Sequence, residues 1–314
     1  MDSQLYDFII IGAGAAGLAA GQYGARSGLK TLVIDLSTAG GQALTIADLE
    51  NYPGVYPSLT GADFIHTMEQ QTLSFGAQIL QTQVLSIDKI GSTFILETNT
   101  GKLSAYALLV ATGAIHKQLG VPGEKELAGS GVSYCATCDG PFFKDKKIIV
   151  VGGGDAACDE ACYLATLSSH VTLLHRRAQL RAQKAVADKL LHNEHITVRY
   201  NTAVKEIKGN HHVESVTVAD AASGTESELA ADAVFIFVGI MPCTSLVPML
   251  QTDDAGYIIT DNSMKTAIPG LYCAGDVRSK PFRQLITAAS DGAIAAHEAE
   301  KYVQNIKQKT GASR

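Results

Sequence analysis

Short apolar segments recur along this chain and predict buried strands, several of which are followed by glycine turns. The first covers residues 7–11, and another covers residues 30–34. Between them, residues 18–27 are mostly small and predict a helix. The order strand, glycine turn, helix and strand predicts a βαβ unit with two parallel strands.

The turn of this unit carries the spacing G-x-G-x-x-G, at Gly12, Gly14 and Gly17. In a dinucleotide site the first glycine makes the tight turn and the second lets the backbone approach a pyrophosphate, which faces the N-terminus of the helix. The third glycine lets helix and strand pack closely. The second strand closes on Asp35, where a carboxylate can accept both hydroxyl hydrogens of an adenosine ribose. These residues predict a dinucleotide site without a 2′-phosphate.

The same unit returns later in the chain. Its parts are a strand over 147–151, small loop residues at Gly152, Gly154 and Ala157, a helix over 158–168 and a strand over 171–174. The spacing also repeats, because Gly12 and Asp35 are 23 positions apart and so are Gly152 and His175. Two complete units with matching spacing predict two dinucleotide sites.

Cationic residues replace the acid at the end of the second unit. His175, Arg176 and Arg177 follow the strand, and Arg181 comes four residues after Arg177. Arginine forms charge-assisted, bidentate bonds to phosphate, whereas an acid at this position would repel a 2′-phosphate. The pattern favours NADPH over NADH at this site, and the alternative is an ordinary solvated basic patch.

Later segments complete both units and predict how they are connected. They are strands over 107–113 and 233–239 and hairpins within 83–98 and 197–218. A strand that ends at Gly275 and Asp276 exposes a carboxylate at the edge where α/β sheets bind ligands, and residues 284–308 predict a helix. Since this last segment follows the second unit but resembles the completion of the first, we expect the second domain to be inserted in the first.

Composition and charge narrow the class of protein. A chain of 314 residues predicts two domains, and 46% apolar with 18% charged residues excludes a disordered chain. The formal charge of −6 argues against binding to nucleic acid, which needs a basic face. The N-terminus lacks the positive region of a signal peptide, and the apolar stretch 8–20 is broken by glycines. We therefore expect a cytoplasmic protein that does not enter a membrane.

Two of the six cysteines, Cys135 and Cys138, are separated by only two residues. A redox-active dithiol is the favoured interpretation. A structural disulfide is the second one, and a zinc site that recruits Cys158 and Cys162 is the third. Asp139 follows the pair directly; it is either a solvated loop charge or a carboxylate of raised pKa that relays the proton of thiol chemistry.

Two other pairs of side chains have open or minor roles. Phe142 and Phe143 follow the cysteines in a loop and either pack in the core or form a docking surface for a partner protein. His211 and His212 follow Gly209 and predict an exposed turn, since no other ligand is spaced to join them. We predict no metal site.

Together, these motifs closely resemble the bacterial-type, low-molecular-weight thioredoxin reductases, of the class II pyridine nucleotide-disulfide oxidoreductases. The segments that carry the resemblance are 12–17, 40–42, 51–54, 135–140, 175–177 and 274–276. They extend over essentially the whole chain, and the most specific is Cys-Ala-Thr-Cys-Asp-Gly between two nucleotide fingerprints.

The resemblance implies an α/β fold with two Rossmann-like, doubly wound, three-layer domains and small β excursions. Residues 1–115 and 245–314 would form a discontinuous FAD-binding domain, and 116–244 an NADPH-binding domain with the cysteine pair. It also implies a homodimer in which the NADPH domain rotates, so that NADPH and the dithiol take turns at the flavin.

The implied activity is NADPH-dependent reduction of thioredoxin, with electrons passing through FAD and the Cys135–Cys138 disulfide. Cys138 would face the flavin, Cys135 would attack the partner's disulfide, and Asp139 would be the acid/base. The implied FAD residues are Gly12, Gly14, Gly17, Asp35, Gln42, Asn51, Asp276, Arg283, Gln284 and Ala288. The implied NADPH residues are Gly152, Gly154, Ala157, His175, Arg176, Arg177 and Arg181.

Other functions stay open at this point. A related flavoprotein reductase could serve a peroxiredoxin-type or other disulfide carrier, and a non-catalytic nucleotide sensor could keep the scaffold. A ferredoxin–NADP reductase of this architecture would lack the cysteine pair. The chain departs from the family pattern at Ala156, Asp159, Cys243 and Ser290.

Overall fold

The computed structural model describes residues 4–46 and 49–310 and divides the chain into two compact units. The first unit comprises Met1–Ile115 and Met241–Arg314, and the second comprises His116–Ile240. The predicted α/β class, with the second unit inserted in the first, is confirmed. The predicted boundary after residue 244 lies four residues beyond the end of the second unit.

The strands and helices alternate as α/β units do. The strands are β1 (Gln4–Ile11), β2 (Thr31–Asp35), β3 (Gln78–Gln81), β4 (Val84–Ile90), β5 (Thr93–Thr98), β6 (Gly101–Val110), β7 (Ala114–His116), β8 (Val132–Ser133), β9 (Ile148–Gly152), β10 (Val171–Leu174), β11 (Ile196–Arg199), β12 (Thr202–Lys208), β13 (Ser215–Asp220), β14 (Glu226–Ala230), β15 (Ala233–Phe237), β16 (Ile240–Pro242) and β17 (Leu271–Cys273). The helices are α1 (Ala15–Arg26), α2 (Gly61–Ser74), α3 (Ala136–Asp139), α4 (Asp155–Leu167), α5 (Lys184–Leu191) and α6 (Leu285–Thr310). Over residues 4–46 and 49–310, none of the helices combines the length and apolar character needed to cross a membrane.

The main sheet of the first unit has the order β3-β2-β1-β6-β5-β4, and β17 also pairs with β6. Its central strands are buried on both faces, which explains why they are continuously apolar rather than alternating. Helices α1 and α6 pack so closely that a Cβ on Gly292 would lie 2.0 Å from the carbonyl oxygen of Ala16. This contact fixes the start of α1, where the first glycine loop ends.

The parallel sheet of the second unit, β11-β10-β9-β15-β8, repeats the central order of the first. In the first unit Phe8 lies opposite Thr31, and in the second Ile148 lies opposite Val171. Both pairs are 23 positions apart, so the spacing of the predicted repeat is also the register of its strands. A separate antiparallel sheet, β12-β13-β14, completes this unit.

Of the two predicted hairpins, one is confirmed and one begins in the wrong place. Within 83–98, β4 and β5 pair antiparallel as expected. Within 197–218, the first strand is instead β11, which pairs parallel with β10, and the hairpin is formed by β12 and β13. Partial alternation of apolar residues does not distinguish the last strand of a βαβ crossover from the first strand of a hairpin, which explains the error. His211 and His212 are exposed between β12 and β13.

Candidate active site

In the first glycine loop, two of the three glycines are tightly packed against backbone atoms, and the other one, Gly14, borders open space. Gly12 has φ +108°, and a Cβ there would lie 2.3 Å from the oxygen of Ala111. A Cβ on Gly17 would lie 1.7 Å from the oxygen of Gly12, so only glycine allows the helix to approach the loop. Among the residues that the structure describes, a Cβ on Gly14 would have no neighbour nearer than 4.0 Å. The loop therefore leaves space for a ligand at the position where a pyrophosphate is expected.

Asp35, at the end of β2, is held against this loop. Its Oδ2 accepts a hydrogen bond from the backbone N–H of Ala13 at 2.6 Å, and its Oδ1 accepts one from the N–H of Ser37 at 3.0 Å. The side chain is half-buried. Because a carboxylate oxygen can accept more than one hydrogen bond, Asp35 keeps the capacity to bind ribose hydroxyls.

The predicted flavin-side residues belong to the same unit, where Gln42 lies in a short 3-10 helix and Asn51, Arg283 and Gln284 lie on loops. The amide of Asn51 donates to Oε1 of Gln284 at 3.1 Å, and Gln42 donates to the backbone oxygen of Ala114. The guanidinium of Arg283 lies 3.6 Å from the ring centroid of Tyr257. The structure thus brings Asn51 and Gln284 together, although they are distant in the chain.

Two buried polar atoms near the start of α6 lack hydrogen bonds within the described part of the chain. They are Nε of Arg283 and Oδ1 of Asp276, and the latter makes only an ion pair, with Lys280 at 3.3 Å. Ala288 is buried in the first turn of the helix. An unpaired donor, a carboxylate and the open space at Gly14 match the hydroxyls and phosphates of FAD, so the residues present fit this cofactor.

The second glycine loop also combines a tightly packed glycine with one that borders open space. A Cβ on Gly152 would lie 2.4 Å from Cβ of Ala157, the buried third small residue, while a Cβ on Gly154 would have no neighbour within 4 Å. A Cβ on Gly153 would lie 2.2 Å from Nδ1 of His175, so the imidazole packs directly against the loop. Here again the space for a pyrophosphate is at the second glycine of the motif.

His175 and its neighbours tie the basic segment to this loop. His175 is buried, and its Nδ1 and Nε2 lie 2.8 and 2.9 Å from the backbone oxygens of Gly152 and Gln179. The N–H of Arg181 donates to the oxygen of Gly153 at 2.6 Å. His175 therefore shapes the site through backbone contacts with both segments.

A cavity of about 340 Å³ opens between the glycine loop and the basic segment. Of the predicted NADPH residues, its lining includes Gly152, His175, Arg176 and Arg181, whereas Arg177 is exposed outside it. Three polar residues of this lining were not predicted from the sequence, and they are Lys117, Gln118 and Thr202. No motif marks them, and only knowledge of the paths of the chain after β7 and into β12 would have found them.

The cysteine pair follows β8, the edge strand of the second parallel sheet. Cys135 and Cys138 form a disulfide with Cα atoms 5.4 Å apart. Sγ of Cys135 lies 3.2 Å from the N–H of Cys138 and 3.4 Å from Oγ1 of Thr137. Since a disulfide sulfur carries no hydrogen, the Thr137 hydroxyl is the donor in this contact. Cys135 is half-buried and Cys138 is exposed.

The remaining cysteines are not bonded to each other. Cys158 and Cys162 are buried in α4, and burial, with the neighbouring Cys162 thiol and nearby acids, raises the pKa of Cys158 to about 12. A thiol of such high pKa is a poor metal ligand and nucleophile. In residues 4–46 and 49–310, no three metal-ligating side chains lie together.

Asp139 and the two phenylalanines line one surface pocket beside the disulfide. The phenylalanine pair has two different environments. Phe143 packs edge-on against Phe235 in the core, with ring centroids 6.1 Å apart, and Phe142 is 79% exposed. Phe143 therefore packs against the core, and a docking role for the exposed Phe142 stays a prediction.

Tyr134, which precedes Cys135, is anchored by a buried carboxylate. Its hydroxyl donates to Oε1 of Glu124 at 2.7 Å, and the same carboxylate accepts from the N–H groups of Leu119 and Gly120. Burial, together with the hydrogen bond and charge of Glu124, raises the pKa of Tyr134. Leu119 also lines the cavity beside the basic segment, so Glu124 connects this cavity to the disulfide segment.

Glu160 on α4 gives the second unit a predictable pH dependence. Burial, aided by the charge of Asp159, raises the pKa of Glu160 from 4.5 to about 7. The folded state therefore keeps this proton to higher pH than the unfolded chain, and the resulting stability, complete below pH 4.5, falls as the pH rises through about 7.

We predict that Glu160→Gln stabilises the protein by about 1–3 kcal/mol near pH 8 and flattens the loss between about pH 5 and 8. Urea unfolding of both proteins across this range measures the effect. The same pH dependence in the variant and the wild type would contradict it.

Of the four departures from the family pattern, only Asp159 takes part in an interaction described so far, through its charge next to Glu160. Ala156, Asp159 and Ser290 are exposed on helices. The backbone of Cys243 accepts from Oγ1 of Thr112 at 2.6 Å, and burial raises the pKa of its thiol.

Known proteins match the chain over nearly its whole length. It is 51% identical over 302 residues to a thioredoxin reductase of Treponema pallidum, with 96% of this chain and 98% of that protein covered. It is 41% identical over 309 residues to a thioredoxin reductase of Bacillus subtilis, with 98% of each covered. The crystal structure of Lactococcus lactis thioredoxin reductase superposes with a TM-score of 0.93 at 41% identity, covering 96% of this chain and 99% of that one.

A second solved structure, T. acidophilum thioredoxin reductase, has a TM-score of 0.91 at 35% identity, with 97% of this chain and 100% of that one covered. The model of the family described as pyridine nucleotide-disulphide oxidoreductase matches residues 6–293. These matches confirm the resemblance inferred from the motifs. The chain belongs to the pyridine nucleotide-disulphide oxidoreductase family.

Proposed function

We propose that this protein is a thioredoxin reductase, which uses NADPH and a bound FAD to reduce the disulfide of thioredoxin. The observation that carries the proposal is the Cys135–Cys138 disulfide in the same unit as a nucleotide cavity lined by arginines. The glycine loop of the other unit supplies a second dinucleotide site. Relatives that match this chain over nearly its whole length are named thioredoxin reductase, which supports the same assignment.

Each unit holds one cofactor in this proposal. FAD, when bound, accepts the electrons of a hydride from NADPH and passes them to a disulfide. The residues that would hold FAD are Gly12, Gly14, Gly17, Asp35, Gln42, Asn51, Asp276, Arg283, Gln284 and Ala288. Those that would hold NADPH are Gly152, Gly154, Ala157, His175, Arg176, Arg177 and Arg181. The two units are correspondingly an FAD-binding and an NADPH-binding domain.

The cysteines have unequal roles. Once the disulfide is reduced, the N–H of Cys138 and the hydroxyl of Thr137 can stabilise a thiolate on Cys135. We assign to Cys135 the attack on thioredoxin's disulfide, which forms a mixed disulfide and releases a partner thiolate. Cys138 then displaces the partner by re-forming its bond to Cys135. Asp139 is the acid/base that moves the proton between these sulfurs.

The proposal also includes a docking side chain for thioredoxin, an oligomeric state and a cellular compartment. Phe142, at 79% exposure, is the side chain with which thioredoxin would make apolar contact beside the disulfide. The family resemblance supports a homodimer, which size-exclusion chromatography with light scattering would test. Four unbridged cysteines beside one reactive pair support the cytoplasm as the compartment.

A comparison of acceptors tests the function. The FAD-loaded protein is assayed for NADPH oxidation with oxidised thioredoxin and, separately, with a peroxiredoxin-type disulfide carrier from the same organism. We expect thioredoxin to be the better substrate by kcat/KM. A clear preference for the other carrier would support the alternative function.

Removal of Arg176 from the cavity is expected to reduce the preference for NADPH. A charge-assisted bond to the 2′-phosphate contributes about 1.5–3 kcal/mol, so Arg176→Ala should raise KM for NADPH by about tenfold or more and leave KM for NADH unchanged. Steady-state kinetics with both nucleotides measures this effect. Arg26→Ala, which removes an exposed arginine at the end of α1 in the other unit, is the matched control. An equal increase for NADPH and NADH would refute contact with the 2′-phosphate.

A further inference from the structure

A group of buried charges lies behind the turn that presents Asp276. Nη1 of Arg278 lies 3.3 Å from Oδ1 of Asp291, and Nζ of Lys280 lies 3.2 Å from Oδ2 of Asp291 and 3.3 Å from Oδ1 of Asp276. The side chains of Arg278, Lys280 and Asp291 are only 4–11% exposed. Two cations and two anions balance, so removal of any one leaves a buried charge without compensation.

The ammonium of Lys280 is surrounded by protein oxygens. Besides the two carboxylates, it donates to Oγ1 of Thr287 at 3.3 Å. An ammonium has three protons, and three oxygens surround this one at hydrogen-bonding or ion-pair distance. Because the Lys280 side chain is only 4% exposed, it would influence a ligand through these neighbours rather than by direct contact.

Asp276 is the neighbour that faces the site. Its Oδ1 is buried and makes the ion pair with Lys280 but no hydrogen bond, while the side chain as a whole is 29% exposed. The exposed surface of the Asp276 side chain consequently belongs to atoms other than Oδ1. The ion pair turns one oxygen of Asp276 inward and leaves the rest of the carboxylate available to a ligand.

Asp291 holds the backbone of the same turn. Its Oδ2 accepts a hydrogen bond from the N–H of Gly275 at 3.2 Å. Gly275 has φ +78°, and a Cβ there would lie 2.9 Å from Cβ of Ala16, at the start of α1. Asp291, on α6, thus fixes the turn against the helix that begins at the first glycine loop.

We infer that Lys280 is a positioning residue of the flavin site, which acts through Asp276, and that Asp291 supports both. The inference rests on the proposed function, since it assumes that Asp276 binds FAD. Lys280 holds the Asp276 carboxylate in one orientation and compensates its charge, so that Asp276 is pre-organised to accept hydrogen bonds from the cofactor's hydroxyls.

A double-mutant cycle on FAD binding tests this inference. Apoproteins of the wild type, Lys280→Met, Asp276→Asn and the double variant are titrated with FAD, and Kd is measured by quenching of flavin fluorescence. We expect Lys280→Met to raise Kd by about tenfold or more in the wild-type background. In the Asp276→Asn background we expect the same change to raise Kd less than about twofold, because the two residues act as one unit.

Two controls separate positioning from general stability. Lys301→Met removes a lysine that is 54% exposed and pairs with Glu298 on α6, and it should leave the Kd for FAD unchanged. If the Lys280→Met apoprotein does not fold, Lys280→Gln takes its place. Because glutamine can still donate a hydrogen bond to Asp276, Lys280→Gln should weaken FAD binding less than Lys280→Met does. A wild-type Kd in Lys280→Met or Lys280→Gln, or equal effects in both backgrounds, overturns the inference. Failure of the wild-type apoprotein to bind FAD refutes the proposed function instead.

Discussion

Replacement of Cys138 by serine is expected to abolish turnover with thioredoxin, by at least about a thousandfold, and to trap the partner on the enzyme. The variant keeps the attacking sulfur of Cys135 but lacks the thiol that would displace the partner. A covalent adduct through Cys135 should therefore accumulate. Non-reducing electrophoresis followed by peptide mass spectrometry identifies the sulfur that carries it.

The reciprocal variant and a buried cysteine provide the comparison. Cys135→Ser should also lose turnover but form no adduct, while Cys162→Ala, within α4, should retain activity. An adduct that forms through Cys138 in the Cys135→Ser protein would show that the two roles are reversed.

Replacement of Gly17 by alanine is expected to destabilise the folded apoprotein, whereas the same replacement at Gly14, in the same loop, is expected to leave its stability unchanged. In Gly17→Ala the new Cβ would be placed 1.7 Å from the carbonyl oxygen of Gly12, which is backbone and cannot rotate away. We predict a loss of at least about 3 kcal/mol in the free energy of unfolding of the apoprotein. Urea unfolding measured without FAD gives this value directly.

Gly14→Ala is the matched variant. Its Cβ would meet no atom of the described chain closer than 4.0 Å, so the apoprotein should remain about as stable as the wild type. FAD binding should nevertheless weaken by about tenfold or more, since the methyl group occupies the space reserved for the pyrophosphate. Equal destabilisation of both apoproteins would contradict the open space at Gly14, and an unchanged affinity for FAD in Gly14→Ala would show that this space does not hold the pyrophosphate.

The two βαβ units could be predicted from sequence because their determinants are local. The glycines, the apolar strands and the terminal residues Asp35 and His175 lie within one short segment each, and the 23-residue spacing directly sets the strand register. The error within 197–218 arose because the pairing of β11 is not determined by local sequence. The pairing of β11 depends on a crossover through α5, which the local pattern of that segment does not encode.

Side-chain environments created by distant segments were harder to predict. Asp276 could be identified from the Gly-Asp turn, but Lys280 and Asp291 could not, because their contacts exist only where this turn meets α6. Phe142 and Phe143 are adjacent and chemically identical, and the sequence does not reveal that Phe143 is the one that packs against Phe235 and becomes half-buried. Lys117 and Thr202 likewise line the nucleotide cavity because the fold places them there, and no sequence motif marks them.

Anaerobic titration of the FAD-loaded protein with NADPH, followed by addition of oxidised thioredoxin, tests the central claim most directly. We predict that NADPH bleaches the flavin absorbance, that thioredoxin restores it, and that about one thioredoxin disulfide is reduced for each NADPH consumed. NADH should act much more slowly. A flavin that NADPH does not bleach, a reduced flavin that thioredoxin does not reoxidise, or equal rates with NADH would contradict this electron path.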